Sequence, residues 1–297
     1  MIGGINLWDP THVSFTVDLL TAFLLGLLHG VTPDEHTWPI TFSYAVGGYS
    51  TVRGLRAGLL FSLAFAIQAA FASELAHFGF TQWFASELFD NIVYLAVGIV
   101  MAAAGLFAMG RGVLPHLHLP GLPRRDAQLA GQPRELKWWM PAVHGFIAGW
   151  GIDAFSMIIY TTLAPAMPTA ATGWLPGFVF GCGTLCVQAA AGAAFGAWAM
   201  RRGLPNEAIR AIALTTAART LTWGGLAFVI FGLFGMAFPG AADIALKTPL
   251  HIHNLDTLGL PLLVLIVVVL GVGVTSLVSA TQAYRRQLVA APAPLKP

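Results

Sequence analysis

Long apolar stretches separated by short polar segments run through the whole chain. An interrupted apolar stretch comes first, at 14–48. Windows of about 20 apolar residues, enough to cross roughly 30 Å of hydrocarbon, follow at 57–79, 90–110, 141–165, 173–200, 219–238 and 257–282. The pattern predicts an all-α polytopic membrane protein with about seven transmembrane helices, or eight if 14–48 forms two short spans.

The first apolar stretch is predicted to contain a broken helix. Pro33 lacks an amide hydrogen, and a proline disfavours helical backbone in the residue before it, here Thr32. We therefore expect an interruption at Thr32 and Pro33, inside the hydrocarbon. A broken helix at that depth is typical of transporter binding sites.

One spacing of small and acidic residues occurs twice. Gly-x3-Gly-x3-Asp begins at Gly26 and again at Gly145, 119 residues further along. The same displacement carries 57–79 onto 176–198 and 90–110 onto 209–229. Each unit then holds three spans, and an odd number of crossings starts the second copy from the opposite side. The sequence predicts an inverted 3+3 repeat plus one extra C-terminal helix.

Five segments follow from this repeat. They are a first three-helix unit with a broken first helix at 1–110, a cytoplasmic linker at 111–139, a second three-helix unit at 140–238, an outer loop at 239–256, and an additional helix with a cytoplasmic tail at 257–297. No basic segment precedes the first apolar stretch and no small-residue cleavage site follows it. We expect that stretch to be retained and not removed as a signal peptide.

Basic residues are concentrated in alternate loops. Of the 15 Lys and Arg residues, 14 lie within 53–56, 111–139, 201–219 and 285–296, and Lys247 lies between the other spans. The positive-inside rule then places the C-terminus in the cytoplasm and the N-terminus outside, in a prokaryotic inner membrane. This topology accounts for the pI of about 8.7 without a nucleic-acid partner. The 9% of charged residues excludes an ordinary soluble domain.

Four metal-competent side chains lie at the predicted break: His29, Asp34, Glu35 and His36. Ionisable groups in hydrocarbon are costly enough to be functional by default. Imidazole together with carboxylate favours a divalent transition metal over magnesium or calcium, which prefer oxygen ligands. The alternative is a helix cap outside the membrane, with Asp34 capping the helix that follows.

Asp153 is the candidate ligand from the second unit. It lies about twelve residues into the span 141–165, near the bilayer centre, where a carboxylate without a partner is unfavourable by several kcal/mol. We expect it to share a site with the first unit. The alternative is a neutral side chain bonded to nearby backbone or to Ser156.

Four further residues are candidates for the ion pathway. Asp18 lies on nearly the same helical face as His29, towards the outer surface, and His144 lies near the cytoplasmic end of its span. His251 and His253 flank Ile252 in the predicted outer loop. That pair is expected to capture metal for an importer.

The residues at the break resemble the signature of the nickel/cobalt transporter family, which belongs to the larger lysine-exporter-type permease superfamily. In that family His, four residues, Asp and His follow one another in one membrane helix. His29, Asp34 and His36 match this order, with Glu35 inserted before the second His. Gly151-Ile152-Asp153 matches a Gly-hydrophobic-Asp element of a later span, although the residues after it differ. The resemblance implies a membrane permease with these residues as metal ligands.

These observations predict a secondary transporter, not an enzyme, that takes up a divalent transition metal by alternating access. Nickel and cobalt are the metals that we expect most. Its partners are the lipid bilayer and the transported ion, with no resident cofactor. No Walker-type loop is present, so the chain does not hydrolyse ATP. Two alternatives stay open: an exporter of small organic or sulfur-containing anions, which needs a basic or amide-lined midplane, and an intramembrane zinc enzyme with Glu35 as its base.

Overall fold

The computed structural model describes residue 7 and residues 14–32, 37–110, 134–200, 205–240, 245–247, 257–259 and 267–290. The helices are α1 (Phe15–Val31), α2 (Trp38–Gly47), α3 (Thr51–His77), α4 (Thr81–Phe84), α5 (Glu87–Ala108), α6 (Met140–Ala148), α7 (Ala154–Ile158), α8 (Leu175–Met200), α9 (Asn206–Ala237) and α10 (Thr275–Ala290). A π-helical turn continues α7 over Ile159–Leu163, and another precedes α10 over Val267–Val274. Two strands, β1 (Ala245–Lys247) and β2 (Thr257–Gly259), pair antiparallel.

The prediction of a helical membrane protein is confirmed. Four helices, α3, α5, α8 and α9, are long and apolar enough to cross a membrane, and α1 is a shorter apolar helix. The total of seven crossings stays a prediction, because most of the segment 241–266 lies outside the described residues. The same holds for the linker up to residue 133.

Three predicted spans have different bounds in the structure. α3 begins at Thr51 instead of 57, α9 begins at Asn206 instead of 219, and the last helix extends to Ala290 instead of 282. The predicted start of that last span, at 257, belongs to a strand. The additional helical turns carry polar and basic side chains, so a window of apolar residues does not detect them.

Local signals set the ends of the long helices. Ser50 and Ser86 cap α3 and α5, and each hydroxyl accepts the backbone N–H of the residue three positions on. Gly79 and Gly110 follow the C-termini of the same two helices with φ of +84° and +72°. This left-handed backbone favours glycine and stops the helix.

α3 and α8 pack against each other in antiparallel orientation through glycines. A Cβ atom at Gly58 would lie 2.6 Å from the carbonyl oxygen of Gln188, and one at Gly177 would lie 2.0 Å from that of Ala69. Real Cβ atoms do not approach other atoms within 3.0 Å. The two backbones are therefore in direct contact, as small residues allow in membrane helices.

The broken helices pack onto this pair in an exchanged pattern. A Cβ atom at Gly26 of α1 would lie 2.0 Å from the carbonyl oxygen of Phe180, and one at Gly145 of α6 would lie 2.0 Å from that of Phe61. Adding 119 to the number of Gly26 gives Gly145, and subtracting 119 from that of Phe180 gives Phe61. The second contact is therefore the first with the two units exchanged. Because the counterpart helices α3 and α8 are antiparallel, the two units form an inverted repeat.

The first break occurs where the sequence predicts it. α1 ends at Val31, and Thr32 has extended backbone with φ of −69° and ψ of 133°. This is the conformation that a following proline favours. α2 begins only at Trp38, with Pro39 in its first turn.

A second break divides the span that was predicted as a single stretch at 141–165. α6 ends at Ala148 and α7 begins at Ala154. Asp153 has extended backbone, with φ of −107° and ψ of 177°, and caps α7. Gly149 and Gly151 precede it in the break. This break forms at glycines and at a capping carboxylate, and residues 149–153 contain no proline. A proline, which predicts the first break, therefore does not predict the second.

The chain continues in one direction through the first break. Successive contacts with α8 are Gly30 with Val187, Thr37 with Gln188, and Ser50 with Gly196. α1 and α2 therefore follow α8 as one interrupted span, which favours seven crossings over eight. Residues 39–47 of α2 are all buried, so protein and not lipid surrounds this helix.

We expect Gly26→Ala and Gly145→Ala to destabilise the protein by about 1–3 kcal/mol each, because each methyl group would overlap a backbone carbonyl. Thermal unfolding in detergent measures the effect. Gly224→Ala is the control, since its methyl group meets mainly the movable side chain of Val268. Melting temperatures unchanged by the first two substitutions would contradict the close contact.

Candidate functional site

The two breaks meet at a pair of side chains within hydrogen-bond distance, one from each unit. His29 lies in the last turn of α1 and Asp153 lies at the start of α7. The Nδ1 atom of His29 is 2.9 Å from Oδ2 of Asp153, and the side chains are only 5% and 8% exposed. Asp153 of the second unit therefore contacts His29 of the first unit.

Asp153 also caps the helix that follows the second break. Its Oδ1 accepts the backbone N–H of Ser156 at 2.8 Å, and the Ser156 hydroxyl accepts the backbone N–H of Asp153 at 2.9 Å. One carboxylate oxygen therefore caps α7 while the other faces His29. Asp153 thus contacts both His29 of the first unit and the backbone of Ser156 in its own unit.

Three phenylalanines surround the imidazole of His29. Its ring stacks on Phe65 of α3 with centroids 5.4 Å apart and an interplanar angle of 15°. Phe180 of α8 lies at 5.2 Å and Phe155 of α7 at 6.5 Å. These apolar rings keep water from the pair, so its electrostatic attraction is stronger than it would be at the surface.

Two buried glutamines near the breaks were missed by the sequence analysis. Gln68 of α3 is fully buried beside Gly149, and Gln188 of α8 donates from Nε2 to the hydroxyl of Thr37 at 3.5 Å. The signal was present, since uncharged amides are costly inside apolar spans. A pattern of charged and metal-binding residues does not reveal these two amides.

Five predicted site residues lie outside the described part of the chain. They are Asp34, Glu35, His36, His251 and His253. Thr32 and Thr37 border the first three. Within the described residues, no three His, Cys, Asp or Glu side chains come together. The full predicted ligand set is therefore not tested by the structure.

The repeat is not chemically symmetric at this site. The displacement of 119 residues carries His29 onto Ala148 and Asp34 onto Asp153. Both units thus have an aspartate in their break, but the histidine has no equivalent in the second unit.

The two remaining pathway candidates are both buried. Asp18 is 1% exposed in the first turn of α1. His144 is also 1% exposed, and its Nδ1 lies 3.0 Å from the hydroxyl oxygen of Tyr44 and 3.0 Å from the carbonyl oxygen of Met140. This contact joins α2 of one unit to α6 of the other.

A polar stripe on α2 leads from the first break towards this contact. Thr37, Thr41 and Tyr44 follow at intervals of four and three residues, which places them on one helix face. The Thr41 hydroxyl is buried and has no hydrogen-bond partner among the described residues. Tyr44 ends the stripe at His144.

Beyond Tyr44 a pocket of about 330 Å³ opens at the end of the bundle that carries Arg53, Lys137 and Arg210, which we call the basic end. Its lining residues are Tyr44, Gly47, Gly48, Tyr49, Arg53, Arg56, Ala57, Glu135, Leu136, Lys137, Trp138 and Pro141. Glu135 accepts hydrogen bonds from Tyr49 at 2.8 Å and from Arg210 at 3.1 Å. The Tyr49 hydroxyl, followed by the Arg210 and Arg53 guanidinium groups, holds the pKa of Glu135 below its usual value against the opposing effect of burial.

Comparisons of the chain with models of known families, with curated proteins and with solved structures found no match. Function must therefore be inferred from the chemistry of the site.

We expect Asp153→Ala to lower stability by about 0.5–2 kcal/mol relative to Asp153→Asn. The asparagine keeps an oxygen that accepts the Ser156 N–H, whereas alanine removes both the cap and the partner of His29. Thermal unfolding of the two variants in detergent makes the comparison. Equal melting temperatures would show that the cap does not stabilise α7.

Proposed function

We propose that this protein is a secondary transporter that moves a divalent transition-metal cation, nickel or cobalt first, across the membrane. The observation that carries the proposal is the buried bond of 2.9 Å between His29 and Asp153. It joins two inverted units at the point where both of their broken helices are interrupted. Broken helices that meet between inverted repeats are the common site of transported ions.

The pair supplies one nitrogen and one oxygen ligand to such a cation. Asp34, Glu35 and His36 would complete the site from the first break, and an imidazole-carboxylate set of this kind suits nickel, cobalt or zinc. Metal ligands must be deprotonated, so a cation binds this pair only when Asp153 is a carboxylate and the binding nitrogen of His29 carries no proton.

Energy for uptake is available from the membrane potential. Two positive charges moving inward across 100 mV release about 4.6 kcal/mol, from roughly 2.3 kcal/mol per charge. The basic end is the cytoplasmic side by the positive-inside rule. Rocking of one unit against the other along α3 and α8 would expose the site to each side in turn.

The cytoplasmic branch of the pathway runs along the polar stripe of α2. Its hydroxyl groups lead from the break to Tyr44, and the basic-end pocket lies on the far side of that residue. The hydrogen bond between Tyr44 and His144 closes this branch, because it ties α2 to α6 across the interface between the units. His144 thereby takes the pathway role that the sequence assigned to it.

Export of a small anion is the second candidate function. The observation in its favour is the presence of two buried amides, Gln68 and Gln188, near the breaks. Against it stands Asp153, whose carboxylate would repel an anion beside His29. Metal transport therefore fits the central pair better.

Nickel or cobalt flux into proteoliposomes tests the proposed function directly. We expect His29→Ala and Asp153→Asn each to abolish flux while membrane insertion stays intact, because each removes a ligand of the cation. His77→Ala is the control, since that histidine contacts the carbonyl oxygen of Ala164 at the end of α3. Normal flux in either site variant would remove that residue from the site, and absence of flux in the wild type would favour the anion exporter.

Cysteine labelling tests the closed branch. In a background without Cys182 and Cys186, we expect Tyr44→Phe to raise the rate at which a small thiol reagent added from the basic end modifies Thr41→Cys by about threefold to tenfold. That range corresponds to the loss of one hydrogen bond of roughly 0.5–1.5 kcal/mol. The matched control is Tyr94→Phe, which changes a buried tyrosine packed on Phe228. An unchanged rate in the Tyr44 variant would show that this bond does not close the pathway.

A further inference from the structure

Gln68 has a buried amide that makes no hydrogen bond within the described part of the chain. The side chain is fully buried in α3, and neither Oε1 nor Nε2 has a hydrogen-bond partner among the described residues. A buried polar group left in this state costs about 1–3 kcal/mol. Native proteins rarely keep such a group unless it binds something.

The position of this amide relates it to the central pair. Phe65 lies three residues earlier on the same face of α3, and its ring stacks on the imidazole of His29. On the other side, Oε1 of Gln68 lies 2.4 Å from the place that a Cβ atom of Gly149 would occupy. The amide therefore fills the space that this glycine leaves at the edge of the second break.

The absence of a side chain at Gly149 is required for this arrangement. Any larger residue there would displace the amide from the break. The corresponding glycine of the first unit, Gly30, faces the apolar side chain of Val187 instead. The Gln68 amide thus has no counterpart beside Gly30, and it lies in the break that holds Asp153.

We propose that Gln68 binds the transported cation through Oε1, as an additional oxygen ligand beside His29 and Asp153. This inference rests on the proposed function. A neutral oxygen adds coordination without adding negative charge, so the ion is held but can still leave. An amide oxygen is a harder ligand than the thiolates and thioethers that select copper(I), so it disfavours that ion.

Binding of Ni²⁺ to the purified full chain in detergent tests this role, together with the melting temperature measured without metal. Gln68→Met keeps the size of the side chain and replaces the amide with a thioether, a weak hydrogen-bond acceptor whose soft sulfur suits copper(I) better than Ni²⁺. We expect Ni²⁺ affinity to fall about tenfold while the melting temperature stays the same or rises, because the unsatisfied amide is gone. Gln68→Glu should bind Ni²⁺ within about threefold of the wild type or more tightly.

Asn91→Leu is the matched control, because Asn91 is a buried amide that packs against Gly235 on α9. Its Ni²⁺ affinity should equal that of the wild type. Equal affinity in Gln68→Met and the wild type would overturn the role of Gln68, and so would a greater loss in Gln68→Glu than in Gln68→Met. A wild-type chain that binds neither Ni²⁺ nor Co²⁺ would instead overturn the proposed function itself, which separates the two failures.

Discussion

A helix that breaks within hydrocarbon frees backbone N–H and C=O groups, and only protein can then satisfy them. Glycines let the broken helices touch the backbones of α3 and α8, so the described residues on either side of both breaks are enclosed by protein. Ser156 and Asp153 satisfy each other's backbone groups at the second break. The position of the site is thus a consequence of where the backbone can be interrupted safely.

Enclosure of the breaks also sets their chemistry. The His29 and Asp153 pair lies among three aromatic rings, where little water competes for either group. α2 is buried along almost its whole length, so the hydroxyl groups on it face protein and not lipid. Polar groups in such surroundings are expensive, and their alignment towards one end of the bundle supports the passage of an ion proposed above.

Much of the fold follows from signals that one sequence contains. Apolar length predicts the long helices, Pro33 predicts the first break, and the repeated Gly-x3-Gly-x3-Asp spacing predicts the inverted units. The second break occupies the equivalent position in the repeat, since Asp153 corresponds to Asp34, but it contains no proline and the sequence did not predict it. Gln68 was missed for a different reason, because an uncharged amide shows its importance only once its surroundings are known.

Some features depend on contacts between distant segments and have no local signal. The bond between Tyr44 and His144 joins residues 100 positions apart. Its existence depends on how α2 and α6 are placed by the glycine contacts of their units, and spacing along either helix does not reveal it. The early starts of α3 and α9 are a simpler case, since their first turns are polar and resemble loops.

The unequal chemistry of the two breaks has a consequence for direction. A perfectly symmetric repeat could adopt inward-facing and outward-facing shapes of equal free energy, because exchanging the units would reproduce the same molecule. Here the imidazole of His29 has only the methyl group of Ala148 as its equivalent. In the proposed transporter the two shapes would therefore differ in free energy, and this difference would set the side of the membrane from which the protein first accepts a cation.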